Sequence, residues 1–339
     1  MEIGMNYKNL MSLLVTTALT ATGFSAYAAT DEVKQRTLKF GHLSTNESPL
    51  GQGALKFAEL VAERSDGRIQ IKIYPAGQLG SEAQQIGATQ GGLQDFVMLS
   101  STPMSSVVRD LQVLDFPGVV TTPQEADKLL DGPIGQKILK EFDTKRLIGL
   151  AYFENGFRHL TNNKHRVQTV AEMAGLKVRV QQSPSSVDFL KSLNTNAIPM
   201  SWNQLYTALE TNTVDGQENP IGTIHMAKLN EVQKYMTLTA HAYGAHVIVG
   251  SQKVWQSLSP KEKEIISTAV VEARDYQRTA NRGSEEKMLS EMKADGLIVD
   301  TFPAEETDKM TVLAKPVLEK YLKGVSPDIA KAILDRNYQ

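Results

Sequence analysis

The feature that most constrains the fold is a change of hydrophobic period near the start of the chain. TLKFGHLS (37–44) reads as an alternating strand. GALKFAELVAERSDG (53–67) then sets Leu55, Ala58, Leu60, Val61 and Ala62 on a helical stripe ending at Gly67. RIQIKIYP (68–75) returns to period two, with Ile69, Ile71 and Ile73 on one face. Strand, helix and strand of these lengths form a β-α-β unit, which argues an α/β fold. With 339 residues the chain exceeds one compact core, so two lobes are expected.

An internal regularity sharpens that expectation. Ser81–Gln84 and Ser201–Gln204 are both S-x-x-Q capping boxes, each after a strand and a Pro-containing loop (Tyr74-Pro75, Ile198-Pro199). Each box opens a helix, and each is followed by a strand whose Asp (Asp95, Asp215) lies at the same distance beyond the capping Ser. The pattern predicts two similar α/β units facing one another. In open sheets of this kind, ligands bind outside the carboxyl ends of the strands.

The C-terminal third is helical. Ser259, Pro260 and Glu262 read as N-cap, N1 and N3 of a helix that continues past Met288 toward Gly296, long enough to run across both lobes. GLIVDTFP is a short strand, followed by a helix from about Ala304 to Lys323 with Pro316 inside it, and another after Ser326-Pro327. Short strand crossings are expected between the lobes, since no low-complexity linker separates them.

At the N-terminus, Lys8 precedes the apolar stretch LMSLLVTTALTATGF (10–24), which is followed by Ala26-Tyr27-Ala28. This is the pattern of a secretory signal peptide cleaved after about Ala28, with initiation at Met1 or Met5. The mature chain is expected to be soluble and exported, periplasmic in a Gram-negative source.

Composition narrows the function. Lys and Arg number 36 against 38 Asp and Glu, a net charge of −2, so no nucleic-acid-binding face is expected. Without cysteine there is no thiolate nucleophile or thiolate metal site. No G-x-S-x-G, H-E-x-x-H, Walker or G-x-G-x-x-G motif occurs, and the six histidines lack zinc spacing. Neither enzyme chemistry nor a cofactor is expected.

The remaining lead is Arg179 in GLKVRVQQSP (175–184). On a strand over 176–181, Leu176, Val178 and Val180 share one face, and Lys177, Arg179 and Gln181 the other. One reading is a half-exposed strand with a polar outer face. The other is anion binding, because Ser183-Pro184 opens a helix whose free N–H groups lie a few residues away. A guanidinium grips a carboxylate through two parallel hydrogen bonds.

GFRHLTN (156–162), GLKVRVQQSP and IPMSWNQLYTALETNTVDGQENP (198–220) closely resemble the solute-binding proteins of tripartite ATP-independent periplasmic (TRAP) transporters, the DctP family, and YPAGQLGSEAQ and SPKEKEIISTA do so too. The resemblance covers the mature chain. It implies an α/β, two-lobed periplasmic-binding-protein fold, type II-like and closing as a Venus flytrap, with the long C-terminal helix spanning both lobes. The lobes are expected over 31–155 plus about 245–283, and over 156–244 plus about 284–335. The implied partners are a small carboxylate and the membrane permease subunits, with the protein a monomer. By motif, Arg179 is the carboxylate clamp, Arg158 a second arginine and Asn219 a carboxylate-binding amide, while Trp202 packs on the ligand's carbon chain. Glu82 and His241 match polar contacts of sialic-acid binders. Ser100 stands where those carry Glu, which disfavours sialic acid. Gln182 completes the expected set as a hydroxyl partner. A sugar acid, uronate or aldonate, is the first expectation and a C4-dicarboxylate the second. A binding protein of an ATP-driven transporter or of a sensor kinase is the alternative.

Overall fold

The computed structural model describes Met1 and residues 32–338. The expected signal peptide, 1–28, lies outside the described residues apart from Met1. Strands and helices alternate around one ten-stranded mixed sheet. The first unit comprises β1 (Arg36–His42), α1 (Pro49–Arg64), β2 (Ile69–Tyr74), α2 (Glu82–Gly91) and β3 (Phe96–Ser100). Helices α3 (Ser101–Met104), α4 (Pro123–Asp131) and α5 (Pro133–Glu141) lead to the long strand β4 (Leu147–Asn162). The second unit comprises β5 (Lys177–Val180), α6 (Pro184–Ser192), β6 (Asn196–Pro199), α7 (Leu205–Glu210) and β7 (Gly216–Pro220). Then come α8 (Ile221–Met226), β8 (Tyr235–Leu238), β9 (Tyr243–Ser251), α9 (Gln252–Gln256), α10 (Pro260–Ala294), β10 (Ile298–Thr301), α11 (Ala304–Leu322) and α12 (Pro327–Asp335).

The two units share a topology. β1 lies between β2 and β3 and is parallel to both, as β5 is between β6 and β7. The repeated aspartates do the same work in each. Asp95 accepts the Lys39 backbone N–H at 2.6 Å and Asp215 that of Lys177 at 2.9 Å, each tying the central strand of its unit to the loop before the third. The first capping box forms, with the Ser81 N–H donating to Gln84 Oε1 at 2.8 Å; the second does not, since Ser201 makes no cap bond to the backbone and its Oγ donates to the Gln204 side chain, Oε1, at 3.0 Å. That segment forms a single 3-10 turn, Trp202–Gln204, ahead of α7.

β4 joins the two halves of the sheet. Residues 147–157 pair antiparallel with β9, whereas Arg158–Asn162 pair with β7 and, over Leu160–Asn162, with β8. A register shift between Glu154 and Gly156 marks the passage. Gly156 has φ of 108°, and a Cβ there would come within 3.0 Å of Glu285 Oε1, so the bend requires glycine. α10, 35 residues and about 52 Å long at 1.5 Å per residue, is the second strut. Ile265, Ile266, Ala269, Val270 and Ala273 enter the core beneath β1, β3 and α1; Met288 and Met292 enter a separate core with α7, α8 and β8. Between these apolar ends the buried face is polar, with Gln277, Arg278 and Asn281. The fold is two-lobed, and this helix spans both lobes.

Some local expectations differ. α1 begins at Pro49, with Ser48 capping the Gly51 N–H at 3.0 Å, so its buried stripe runs through Ala54, Phe57, Leu60 and Val61, and Leu55 faces solvent. α12 packs on α4 and α5: Lys137 pairs with Asp328, Arg336 with Glu125, and the Tyr338 hydroxyl donates to the Val119 carbonyl. The last helix thus lies against the half of the molecule that holds β4's beginning, although its sequence position follows elements of the other lobe.

Candidate functional site

The residues at and just past the carboxyl ends of the parallel strands converge on one cleft. Leu43 and Ser44 follow β1, Ser100 ends β3, Gln181 follows β5, and Asn219 lies near the end of β7; with Trp202 they line a cavity of about 40 Å³. This is where an open α/β sheet presents a ligand site, because successive loops diverge there. A second chamber of about 170 Å³ adjoins it and shares Leu43, Ser44, Asn155, Trp202 and Thr223. Two contacts cross the cleft. The Trp202 backbone N–H donates to Glu82 Oε1 at 3.0 Å, and Ser100 Oγ donates to Gln181 Oε1 at 3.3 Å. The first joins equivalent positions of the two units, each the residue after the repeated Ser; the second joins the end of β3 to the residue after β5.

Arg179 is only 1% exposed, so both faces of β5 are covered and the half-exposed reading of this strand fails. Its Nε and Nη2 donate to the Met200 carbonyl at 3.1 and 2.8 Å, which aims the guanidinium across the end of β6. Nη1 has no partner, and among the described residues no carboxylate pairs with Arg179. Burial pushes its pKa down to about 10, opposed by the charge of Glu218, so it stays a cation at neutral pH. A buried cation without a counter-ion is costly.

Arg158 is equally buried but compensated. Nε donates to Glu218 Oε2, and Nη2 donates to Glu218 Oε1 at 2.8 Å, to the Glu218 carbonyl at 2.6 Å and to Asn219 Oδ1 at 3.2 Å. Burial alone would raise the Glu218 carboxyl, but the Arg158 charge and the His241 hydrogen bond bring it down to about 2. Nearby, burial pushes Asp115 up to about 6, although the Thr102 and Ser101 hydroxyls donate to it at 2.9 and 3.1 Å. Burial also holds His246 neutral, at about 3, helped by the Arg158 charge. Its Nδ1 lacks a partner, as does Glu82 Oε2, and both residues line the small cavity.

A family described as bacterial extracellular solute-binding protein, family 7 (DctP), matches residues 40–324. The chain belongs to the DctP family. It is 33% identical over 324 residues to the 2,3-diketo-L-gulonate-binding periplasmic protein YiaO of Escherichia coli, covering 94% of this chain and 97% of that one. It is 30% identical to the C4-dicarboxylate-binding protein DctB of Bacillus subtilis, covering 89% and 86%. The crystal structure of the sugar acid binding protein DctPAm from Advenella mimigardefordensis in complex with galactonate superimposes with a TM-score of 0.88 at 36% identity, covering 91% of this chain and 100% of that one. DctP proteins bind solutes and are not enzymes, and so with this chain; among its described residues no helix is long and apolar enough to cross a membrane.

In this DctP protein Glu82, Ser100, Trp202 and Asn219 line the cleft, with Arg179 buried two residues before its wall residue Gln181. Two expected contacts are placed elsewhere. Gln182 is exposed, because the pleat that turns Gln181 inward turns its neighbour out. His241 sits behind Glu218, with Nε2 at 3.3 Å from that carboxylate, Nδ1 at 2.8 Å from Thr239 Oγ1 and its ring against Phe189. Arg158, expected at the ligand, makes its ion pair with Glu218. Residues not expected in the cleft are Asn155, beside the β4 register shift, and His246, whose register opposite Ser100 places it there. The sequence signal for His246 was its antiparallel pairing with the end of β3, which needs the topology to be seen.

Proposed function

We propose that this protein is the extracytoplasmic solute-binding subunit of a TRAP transporter, closing its lobes on a hydroxylated monocarboxylate, a sugar acid, and delivering it to the membrane permease. The observation that carries the reading is Arg179, buried, charged, held by one carbonyl and left with a free Nη1 and no carboxylate. A ligand carboxylate supplies the missing counter-ion at a site where charge-assisted hydrogen bonds contribute roughly 1.5–3 kcal/mol each. Asn219 and Ser100 flank that carboxylate, Trp202 covers the carbon chain, and Arg158 acts through Glu218 and Asn219 as a brace.

Glu82 supports a sugar acid over a C4-dicarboxylate. Its Oε2 is an acceptor without a donor, which a ligand hydroxyl satisfies and a second carboxylate would meet with repulsion. Among the described residues, neither chamber has Lys or Arg in its wall to neutralise a second charge.

The same geometry supports a division into lobes. The first lobe spans about 31–155 and 245–283, the second 156–244 and 284–326, and hinge bending occurs at Gly156, at the start of β9 and along α10. Residues from 327 move with the first lobe, through Asp328 and Arg336. Export with cleavage near Ala28 and a monomeric mature form complete the proposal.

Calorimetric titration with aldonates, uronates and succinate tests it. Arg179→Ala is expected to weaken sugar-acid binding at least about a hundredfold, and Arg179→Lys not to restore it, since an ammonium lacks the two-pronged geometry. Near-native affinity in either variant, or succinate outcompeting every sugar acid, overturns the reading.

A further inference from the structure

The chamber beyond Trp202 has no assigned role. At about 170 Å³ against about 40 Å³ it is larger than the cavity lined by Gln181 and Asn219, and its walls are largely apolar: Leu43 and Trp202 at the shared boundary, Pro49 and Leu50 from α1, Met226 and Gly222 from α8. It lies between the lobes, because α1 belongs to one unit and α8 follows β7 of the other. A ligand anchored by its carboxylate at Arg179 fills the small cavity with its first carbons and has this adjoining chamber to grow into.

We propose that this chamber is a distal subsite that reads the length of the acid, taking the terminal carbons of an extended chain of about six carbons, uncharged at its far end. The inference rests on the carboxylate reading above and adds to it the class of acid preferred. The end of such a chain finds Leu50, Pro49 and Met226 for its C–H surface. The Thr45 hydroxyl, without a partner in the protein, meets one terminal hydroxyl. A terminal carboxylate finds no cation in this wall. A four-carbon acid leaves the chamber to water and forfeits the contacts.

Gly222 gives a way to close the chamber without breaking the fold. A Cβ built there comes no nearer than 3.5 Å to Asn281 Oδ1 and 3.8 Å to Met288 Sδ, ordinary contacts, and its backbone is helical, so side chains are accepted. Gly222→Leu adds a side chain at this wall on the side of Asn281, which also lines the chamber, and is expected to narrow the space for the distal carbons.

The experiment titrates wild type, Gly222→Ala and Gly222→Leu with four-, five- and six-carbon aldonates. Wild type is expected to bind the six-carbon aldonate at least about tenfold more tightly than the four-carbon one, the range one or two methylene-sized units command in a fitted pocket. Gly222→Leu is expected to abolish that preference, weakening the six-carbon acid about tenfold or more and leaving the four-carbon acid within about twofold. Gly222→Ala moves the same way by less. Retained four-carbon binding shows that Gly222→Leu is folded; if it does not fold, the graded response of Gly222→Ala decides. A flat length dependence in wild type, or equal weakening of both acids in a folded variant, overturns the distal subsite while leaving the Arg179 clamp standing. Failure of every aldonate to bind wild type overturns both.

Discussion

Buried and half-buried arginines occur in two regions of this molecule and are treated in opposite ways. On the middle of α10, Arg278 donates to Asp127 at 2.9 Å and to Asp131 at 2.6 and 3.0 Å, while Arg282 reaches Asp127 at 3.0 and 2.7 Å and Glu154 at 2.9 and 2.7 Å. Hydrogen bonds to Asp127 and Glu154 push the Arg282 pKa up, against the effect of burial. In the cleft, burial acts on Arg179 with no carboxylate hydrogen bond to oppose it, and its pKa goes down. The α10 cluster neutralises its charges within the protein, where β4 passes from pairing with β9 to pairing with β7. In the cleft, among the described residues, Arg179 is left without a carboxylate, the feature on which the proposed function rests. Where a charge lacks compensation is thus more telling than where charges are dense.

The largest test converts one class into the other. Arg158 belongs with the compensated group only through Glu218, so Glu218→Gln leaves a second buried cation unpaired. Folding stability at neutral pH is expected to fall by about 3 kcal/mol or more in chemical denaturation, the size typical of breaking a buried pair. The pH profile carries the sign. The folded Glu218 carboxyl is depressed from 4.5 to about 2, so its contribution is full above pH 4.5 and is lost as pH falls through 2. Glu218→Gln should be flat over that window where wild type declines. A stable variant with an unchanged profile would mean that Arg158 is compensated by some other group.

A paired comparison comes next. Arg179→Met removes the uncompensated charge and should leave the ligand-free melting temperature at or above wild type, with sugar-acid binding lost. Arg282→Met removes compensation from Glu154, which is buried and keeps only Tyr243 and Asn281, and should cost about 2 kcal/mol, discounted because Arg282 is one-third exposed. Its effect should fall on stability and hinge motion, with the carboxylate affinity changed less. If Arg179→Met proves the more destabilising in the absence of ligand, the contrast between the regions collapses.

Much of this was legible before any coordinates. The capping boxes and their equidistant aspartates showed a duplicated unit because short-range hydrogen bonding repeats with the topology: Asp95 and Asp215 each take the N–H of the central strand. The start and end of α10 were written in Ser259, Pro260 and the glycine at 296. Arg179 was legible as a residue to watch, since the strand around it left a polar outer face and anion binding both open; the structure shows it buried. The tertiary pairings were not legible. That Arg158 turns to Glu218 and that His241 stands behind it depend on strand register across β4, β7 and β9; that Gln181 rather than Gln182 faces the cleft follows from the pleat of β5, which already put Gln181 on the face of Arg179. The stripe of α1 was misjudged at Leu55 because its true start, Ser48-Pro49, lies before the obvious apolar run.

The smallest predicted effect comes from the mirror image of the cleft, an anion without a cation. Glu141, at the end of α5, has an unpartnered Oε1, and its neighbour Asp110 accepts the Ser326 N–H at 3.1 Å where α12 begins. Burial first, and then the hydrogen bond and charge of Asp110, push Glu141 up to about 7 from an ordinary value near 4.5. A carboxyl raised in the folded state favours folding while it is protonated. Its contribution is therefore full below pH 4.5 and is lost as pH rises through 7. Wild type should lose stability over that interval, by less than about 1 kcal/mol because the group is partly exposed and solvent screens it. Glu141→Gln keeps a hydrogen-bond donor toward Asp110 without the charge, so it should match wild type at pH 4.5 and exceed it at pH 8 in thermal melts. Parallel profiles for the two proteins would show that the pair has no shared proton, and that α12 docks on α5 through Lys137–Asp328 and apolar contact alone.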